Sequence, residues 1–278
     1  MNSPSNNKNI SELRLPSGTL RILQITDTHL YADPQGQLLG INTLDSFQCV
    51  IEQIRQNNWP VDIVLVTGDL VHDASPTGYQ QLSDLLDNFE LPVYCLPGNH
   101  DVPEIMHEHL KSEFVSCPQT IDLQGWRLIL LNSVKPNSEG GHLADDELQG
   151  LQQALANNDK HTLISLHHQP VPVGSTWIDS MTLDNADKMF EIVDQAPQVR
   201  GILWGHVHQQ FDQMRGQVHL MASPSTCVQF APESSDFSVD KQAPGFRLLA
   251  LTPDGQVRSQ VIRTAAIPLG LDLASSGY

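Results

Sequence analysis

Residues 21–29 read Arg-Ile-Leu-Gln-Ile-Thr-Asp-Thr-His (RILQITDTH), and the change of character inside this stretch decides the fold. Its first half is a short apolar run with β-branched residues, the pattern of a buried strand. It then stops on a carboxylate and an imidazole two residues apart, Asp27 and His29. Open α/β sheets collect their sites at the carboxyl ends of strands, where such a change is expected. The same change recurs further along. Residues 61–67 (VDIVLVT) run into Gly68-Asp69, and 92–96 (PVYCL) lead to Gly98-Asn99-His100-Asp101. Residues 162–166 (TLISL) end on His167-His168, and 199–204 (VRGILW) on Gly205-His206-Val207-His208. Any one of these is weak evidence, since a Gly-Asp after a strand is usually only a turn. All five together, each at a strand end, are hard to produce by chance.

Three further runs, 126–131, 218–222 and 246–251, also read as strands. Between strands, residues 43–57 place Leu44, Phe47, Val50, Ile51 and Ile54 on one helical face, and 145–158 repeat the pattern with Leu148, Leu151 and Leu155. Thr43 and Asp145 are the expected caps of these helices. Early strand–helix alternation predicts an α/β fold with a largely parallel sheet. From 199 to 263 strands crowd together, which predicts a second, more antiparallel sheet packed on the first. Residues 1–19 are polar and rich in Asn and Ser, and are expected to form a flexible extension before a single domain at 20–278. Within that domain 223–278 is read as a substrate-proximal tail, and 223–245 as a long irregular loop of the kind that usually serves function.

The formal charge of −17 argues against a nucleic-acid binder, which needs a basic face for the phosphate backbone. No apolar run approaches the ~20 residues that span a bilayer, so no membrane partner is expected. Cys49, Cys95, Cys117 and Cys227 are scattered without a C-x-x-C pair, which suits the reducing cytoplasm. An anionic substrate would then need local positive charge, and bound cations supply it. Mixed imidazole, carboxylate and amide donors suit iron, manganese or zinc. If extended, Asp27 and His29 would point the same way, as would His206 and His208. Gly68 and Gly98 let the backbone pass close to the ions, and the two oxygens of Asp69 can bridge a pair of them.

The ordered blocks D-x-H, GD, GNHD, H and GHxH resemble the calcineurin-like metallophosphoesterases. Beyond the blocks, RILQITDTHL, LPGNHD, LHHQPVPVGSTWID and the SPSTCVQF…APGFR tail resemble the class III 3′,5′-cyclic-AMP phosphodiesterases of bacteria, over about residues 20–278. That resemblance implies an α/β four-layer sandwich, two mixed β-sheets face to face with helices outside. It implies two divalent ions per chain, Fe²⁺ foremost with Mn²⁺ or Zn²⁺ as alternatives. Asp27, His29, Asp69 and His208 would hold one ion. Asp69, as the bridge, would hold the second with Asn99, His167 and His206, and His167 is chosen over His168. His100 would stand outside both sets as the catalytic acid, with His29, Asp69, Asn99, His167 and His208 also facing the substrate. The implied reaction is attack by a bridging hydroxide on cyclic AMP, giving 5′-AMP. Another small phosphoester, a nucleotide or glycerophosphodiester, is the alternative substrate. A metal-free protein-binding scaffold is the reading from outside enzymology, and intact ligands speak against it.

Other residues carry less. His107 and His109, and likewise His142, His161 and His219, are read as surface or core histidines. His72, three residues past Asp69, is either beside the bridge or on the surface. Asp101 is offered as a partner for the His100 ring. Trp177 and 223–230 either line a nucleobase pocket or pack in the core, the commoner fate. Arg200 and Lys188 are the nearest cations in sequence, and neither lies in a motif.

Overall fold

In the computed structural model, which describes residues 10, 14–156 and 158–277, the opening stretch becomes β1 (Leu20–Ile25). A short hairpin of β2 (Gln37–Leu38) and β3 (Ile41–Asn42) leads into α1 (Thr43–Asn57) and β4 (Ile63–Thr67). Next come α2 (Pro76–Asp87), β5 (Val93–Leu96), α3 (Pro103–His109) and the two-residue β6 (Val115–Ser116). The middle of the chain forms β7 (Thr120–Leu123), β8 (Trp126–Leu130), α4 (Asp145–Leu155), β9 (His161–Ser165), α5 (Thr176–Asp179) and α6 (Ala186–Val193). It closes with β10 (Val199–Trp204), β11 (Phe211–Arg215), β12 (Val218–Ala222), β13 (Gly245–Leu251) and β14 (Val257–Arg263).

The strands form two mixed six-stranded sheets, ordered β14-β13-β1-β4-β5-β6 and β11-β12-β10-β9-β8-β7. In the first, β1, β4, β5 and β6 run parallel, while β13 pairs antiparallel with both β1 and β14. In the second, β8, β9, β10 and β12 run parallel, with β7 and β11 antiparallel at the edges. Alternation along each strand sets the layers. Leu20 and Ile22 of β1 face the other sheet and pack with Leu65, Trp126, Leu163 and Leu203. Leu23 and Ile25 face outward onto Phe47 and Val50 of α1 and Leu82 of α2. On the far side Ile164 and Ile202 meet Leu151 of α4 and Met189 of α6. The order helix, sheet, sheet, helix is the expected four-layer sandwich.

The expectation for the last third needs correcting. Only β10, β11 and β12 join the second sheet, whereas β13 and β14 return to the first. All seven residues of β13 are buried, so it needs cover on both faces and cannot sit at an edge. It carries Arg247, 1% exposed, across to the second sheet. There the guanidinium donates to both oxygens of Asp212 (2.8 and 3.1 Å) and to the carbonyls of Ala222 (2.6 Å) and Phe211 (3.2 Å).

Both helix caps lie one residue earlier than the sequence suggests. Asn42 caps α1, its side chain accepting from the Asp45 N–H, and Ala144 starts α4 with no side-chain cap. Of the extension 1–19, residues 1–9 and 11–13 lie outside the described residues. Ile10 is buried, and its N–H donates to Gln260 at 2.8 Å. Among the described residues, no helix is long and apolar enough to cross a membrane.

Candidate metal centre

The five motifs come together where β1, β4 and β5 of one sheet and β9 and β10 of the other end side by side. Bonds across the seam hold these ends in register. The His167 Nδ1 donates to the Thr67 carbonyl (2.8 Å), the Gln24 amide donates to the Trp204 carbonyl (3.2 Å), and the His206 N–H donates to Asp27 Oδ1 (3.0 Å).

Local backbone differs from the extended geometry expected of D-x-H and H-x-H. Asp27 (φ 53°), His29 (43°), Asp69 (50°), His206 (63°) and His208 (49°) are all left-handed. Each such residue costs on the order of 1–2 kcal/mol, and strain of this kind collects at functional sites. Turns in the backbone, rather than strand alternation, therefore aim these side chains inward. Glycines make the room. A Cβ on Gly68 (φ +93°) would lie 2.3 Å from His167 Nδ1, and one on Gly98 would lie 2.2 Å from Asp69 Oδ1.

Asp69 is central. Its Oδ2 lies 3.2 Å from His167 Nε2 and 3.7 Å from His29 Nε2. His208 Nε2 lies 3.3 Å from His29 Nε2 and 3.4 Å from Asp27 Oδ1. Asn99 turns its Oδ1 to His167 Nε2 (3.2 Å), and its amide nitrogen donates to the exposed Glu139 (2.7 Å). The His206 ring completes the cluster, 5.1 Å from that of His167. Asp27, His29, Asp69, His167, His206 and His208 are all at most 2% exposed.

Each inward nitrogen is set by what its ring does behind it. His167 is anchored on Thr67 and His208 on the Val228 carbonyl (2.9 Å), both through Nδ1. His168 has both nitrogens engaged, Nδ1 with the Ser133 hydroxyl (2.8 Å) and Nε2 with the Glu139 carbonyl (3.2 Å). Burial drives His29 and His206 well below the ordinary imidazole range, and His168 down to about 3. Burial also opposes charge on Asp69, but His167 and His100 outweigh it and hold the carboxylate well below its usual range. Burial pushes His167 down as well, but Asp69 and Asp27 outweigh it and lift that ring to about 9. A cation would have to take the place of its proton, since metals bind neutral imidazole and ionised carboxylate.

His100 sits at the mouth of the cluster, half-buried, with Nε2 3.9 Å from Glu139 Oε2 and its N–H donating to Asp69 Oδ1 (2.9 Å). Asp101 does not orient that ring. Its buried carboxylate accepts from the backbone N–H groups of Leu70, Val71 and Gly98 and from the Tyr79 hydroxyl (2.9 Å). It ties the turn after β4 to the turn after β5. Trp177 packs edge-on against Phe230 and Phe237, and Phe230 stacks on His208 at 4.2 Å, so these aromatics pack against His208. Ser225, in the 223–230 segment, donates to the Asp27 carbonyl at 2.7 Å. Arg200 is engaged with Gln217 and His161, and Lys188 is exposed on α6. His142 pairs with Asp184 at 2.5 Å and His219 with Asp212 at 3.2 Å, away from the cluster. Sequence reasoning missed Glu139, Tyr79 and the carbonyls of Thr67 and Val228, none of which lies in a recognisable pattern.

The cluster fits cations. Asp27 Oδ2, Asp69 Oδ2 and both ring nitrogens of His206 are buried without a hydrogen-bond partner among the described residues. Such atoms are costly unless something pairs with them. Donor atoms of Asp27, His29 and His208, and of Asp27, Asp69 and His167, lie within 4.8 Å of one another.

A buried dicarboxylate and polyimidazole cluster at the seam of a double α/β sheet defines a metal-dependent phosphoester hydrolase. The chain belongs to the calcineurin-like phosphoesterase family, which it matches over residues 20–210. That family works with a dinuclear metal site. The chain is 42% identical to the 3′,5′-cyclic adenosine monophosphate phosphodiesterase CpdA of Vibrio vulnificus, covering 95% of this chain and 97% of that one. It is 38% identical to the CpdA of Pseudomonas aeruginosa (92% and 94%) and 40% identical to that of Escherichia coli (93% and 95%). Among solved structures, a dimetal phosphatase from Danio rerio shares the fold with a TM-score of 0.58 and 15% identity, covering 88% and 99%. A purple acid phosphatase from yellow lupin seeds does so with a TM-score of 0.59 and 14% identity, covering 93% and 55%.

Proposed function

We propose that this chain hydrolyses 3′,5′-cyclic AMP to 5′-AMP at a pair of divalent ions. The observation that carries the reading is the buried Asp69 Oδ2, 3.2 Å from His167 Nε2 and 3.7 Å from His29 Nε2, within reach of both donor sets. Asp27, His29, Asp69 and His208 would hold one ion, and Asp69, Asn99, His167 and His206 the other. Of the metals that suit these donors Fe²⁺ is placed first, with Mn²⁺ and Zn²⁺ as substitutes. When bound, such a pair supplies a water-derived nucleophile at neutral pH and offsets charge on the phosphate.

The chain's own residues do the rest. Glu139 binds the Asn99 amide nitrogen and so keeps its oxygen turned to the centre. As a P–O bond to water forms and the bond to the 3′-oxygen breaks, that oxygen needs a proton. His100, at the mouth beside Asp69, is the donor. The relatives named as cyclic AMP phosphodiesterases match nearly the whole chain, which supports cyclic AMP over other diesters. The free thiols Cys49, Cys95, Cys117 and Cys227 suit work in the cytoplasm.

Incubation of the Mn²⁺- or Fe²⁺-loaded protein with cyclic AMP, followed by chromatography, tests the reading. It expects 5′-AMP to accumulate without conversion to adenosine. A protein that leaves cyclic AMP intact while consuming a glycerophosphodiester or a monoester would overturn it.

A further inference from the structure

Three imidazoles stand in contact on the outer side of the centre: His29, His72 and His100. His72 belongs to none of the five motifs, yet its place is fixed by the backbone. Val71 bridges Leu30, and the His72 N–H donates to the Leu30 carbonyl at 2.8 Å. Its half-buried ring is backed by Tyr31, with centroids 4.9 Å apart. From that position it does two things. Its Nδ1 lies 3.1 Å from His29 Nδ1, and its ring stacks on His100 at 4.5 Å with the planes 21° apart.

His29 directs its other nitrogen, Nε2, inward to His208 and Asp69. A ligand at Nε2 needs a lone pair there, so the His29 proton must sit on Nδ1 and be donated outward. Rings that bind a metal nearly always give that second N–H to an acceptor, which fixes tautomer and plane. For His167 and His208 the acceptors are backbone carbonyls. For His29 the atom in that place is His72 Nδ1. The nitrogens of His29, His72 and His100 also lie within 4.8 Å of one another, but with His29 Nε2 turned to His208 and Asp69 only its Nδ1 meets His72, so His72 serves the ligand rather than joining it.

We propose that His72 is a positioning residue with two separable roles, hydrogen-bond acceptor for His29 and stacking platform for His100. This rests on the reading of His29 as a metal ligand and His100 as the proton donor. The side chain couples the metal site to the leaving-group site, because one ring touches both.

The roles separate by substitution. His72→Asn keeps an acceptor atom at the δ position and removes the ring. His72→Phe keeps a ring and removes the acceptor. Metal retention is read by elemental analysis after dialysis against graded chelator, with circular dichroism to check folding. Turnover is read on cyclic AMP and on a nitrophenyl phosphodiester whose leaving group needs no proton. His72→Phe should hold one of its two ions about 10–100-fold more weakly, and His72→Asn should retain both. His72→Asn should lose kcat on cyclic AMP with KM little changed, and keep most of its turnover on the nitrophenyl ester.

A His72→Phe protein that binds both ions as tightly as wild type removes the acceptor role. A His72→Asn protein with the wild-type ratio of the two activities removes the stacking role. His72→Leu, smaller and also without an acceptor, replaces the Phe variant if that one does not fold. His29→Ala is the control. If it keeps both ions, the assignment of the centre is wrong. If it loses one while His72→Phe does not, only the role of His72 falls.

Discussion

At the scale of single residues the proposed function divides the centre into atoms that would bind and atoms that would transfer a proton, and His100 is where the two part. Its backbone N–H donates to Asp69 Oδ1, and its ring lies against those of His29 and His72 near Glu139. Replacing it should leave both donor sets whole. His100→Ala is expected to retain two equivalents of metal and to lose about 10²–10⁴ in kcat on cyclic AMP. A nitrophenyl diester should recover part of that loss. Equal losses on both substrates would show that His100 acts in some way other than as an acid. The ligand candidates themselves were legible in the sequence because D-x-H, GD, GNHD and GHxH are contiguous and each follows an apolar run. Their conformation was not. The left-handed backbone at Asp27, His29, Asp69, His206 and His208 is imposed by tertiary packing, and no propensity of Asp or His foretells it at five places. The acceptors behind the rings were equally hidden, since a carbonyl such as that of Thr67 or Val228 belongs to every residue and marks none.

At the scale of elements, the apolar runs found strand positions well because a strand buried on both faces has little room for polar side chains. Edge strands escaped for the same reason. In β11 (FDQMR) no residue is buried, so its sequence reads as a loop. Helix starts slipped by one residue because Thr43 and Asp145 are good cap types, whereas the positions with extended backbone are Asn42 and Ala144. Ala144 is exposed and leaves the first turn of α4 without a side-chain acceptor. Ala144→Ser should therefore stabilise the protein by about 1 kcal/mol, the usual worth of such a cap, with no change in metal content. Urea unfolding measures it, and an unchanged or lower midpoint would mean that the acidic residues Asp145, Asp146 and Glu147 already satisfy that turn.

Across the whole molecule the two sheets meet through apolar packing, through the bonds at the seam and through the buried guanidinium of Arg247. Arg247 leaves β13 and binds Asp212 and two carbonyls of the other sheet. Arg247 is buried while Asp212 is about a third exposed, so Arg247→Met chiefly leaves two carbonyls without their donor and should lower unfolding stability by about 1–3 kcal/mol. Partial burial would lift Asp212, but His219 and Arg247 outweigh it and hold its pKa at about 2. A depressed carboxylate stabilises the fold at pH values above its unfolded pKa of about 4, and that contribution is lost as pH falls from about 4 towards 2. Denaturation followed over this window should show the wild type losing stability that Asp212→Asn never had. An identical pH profile for the two proteins would mean the bridge carries no such weight.

The pairing of β1 with β13, from Leu20 against Leu251 to Gln24 against Arg247, has a consequence for how the protein is made. The strand that leads into Asp27 leaves the ribosome well before its neighbour, with β2 through β12 made between them. Until β13 arrives, β1 presents a bare, apolar edge, an open invitation to other chains. The second sheet, drawn from the contiguous stretch between β7 and β12, has no such wait. Synthesis thus completes the second sheet before the first, although the first is begun earlier. Until β13 is made that edge needs cover, and a product ending before β13 would leave the strand that leads into Asp27 with β4 as its one neighbour in the sheet.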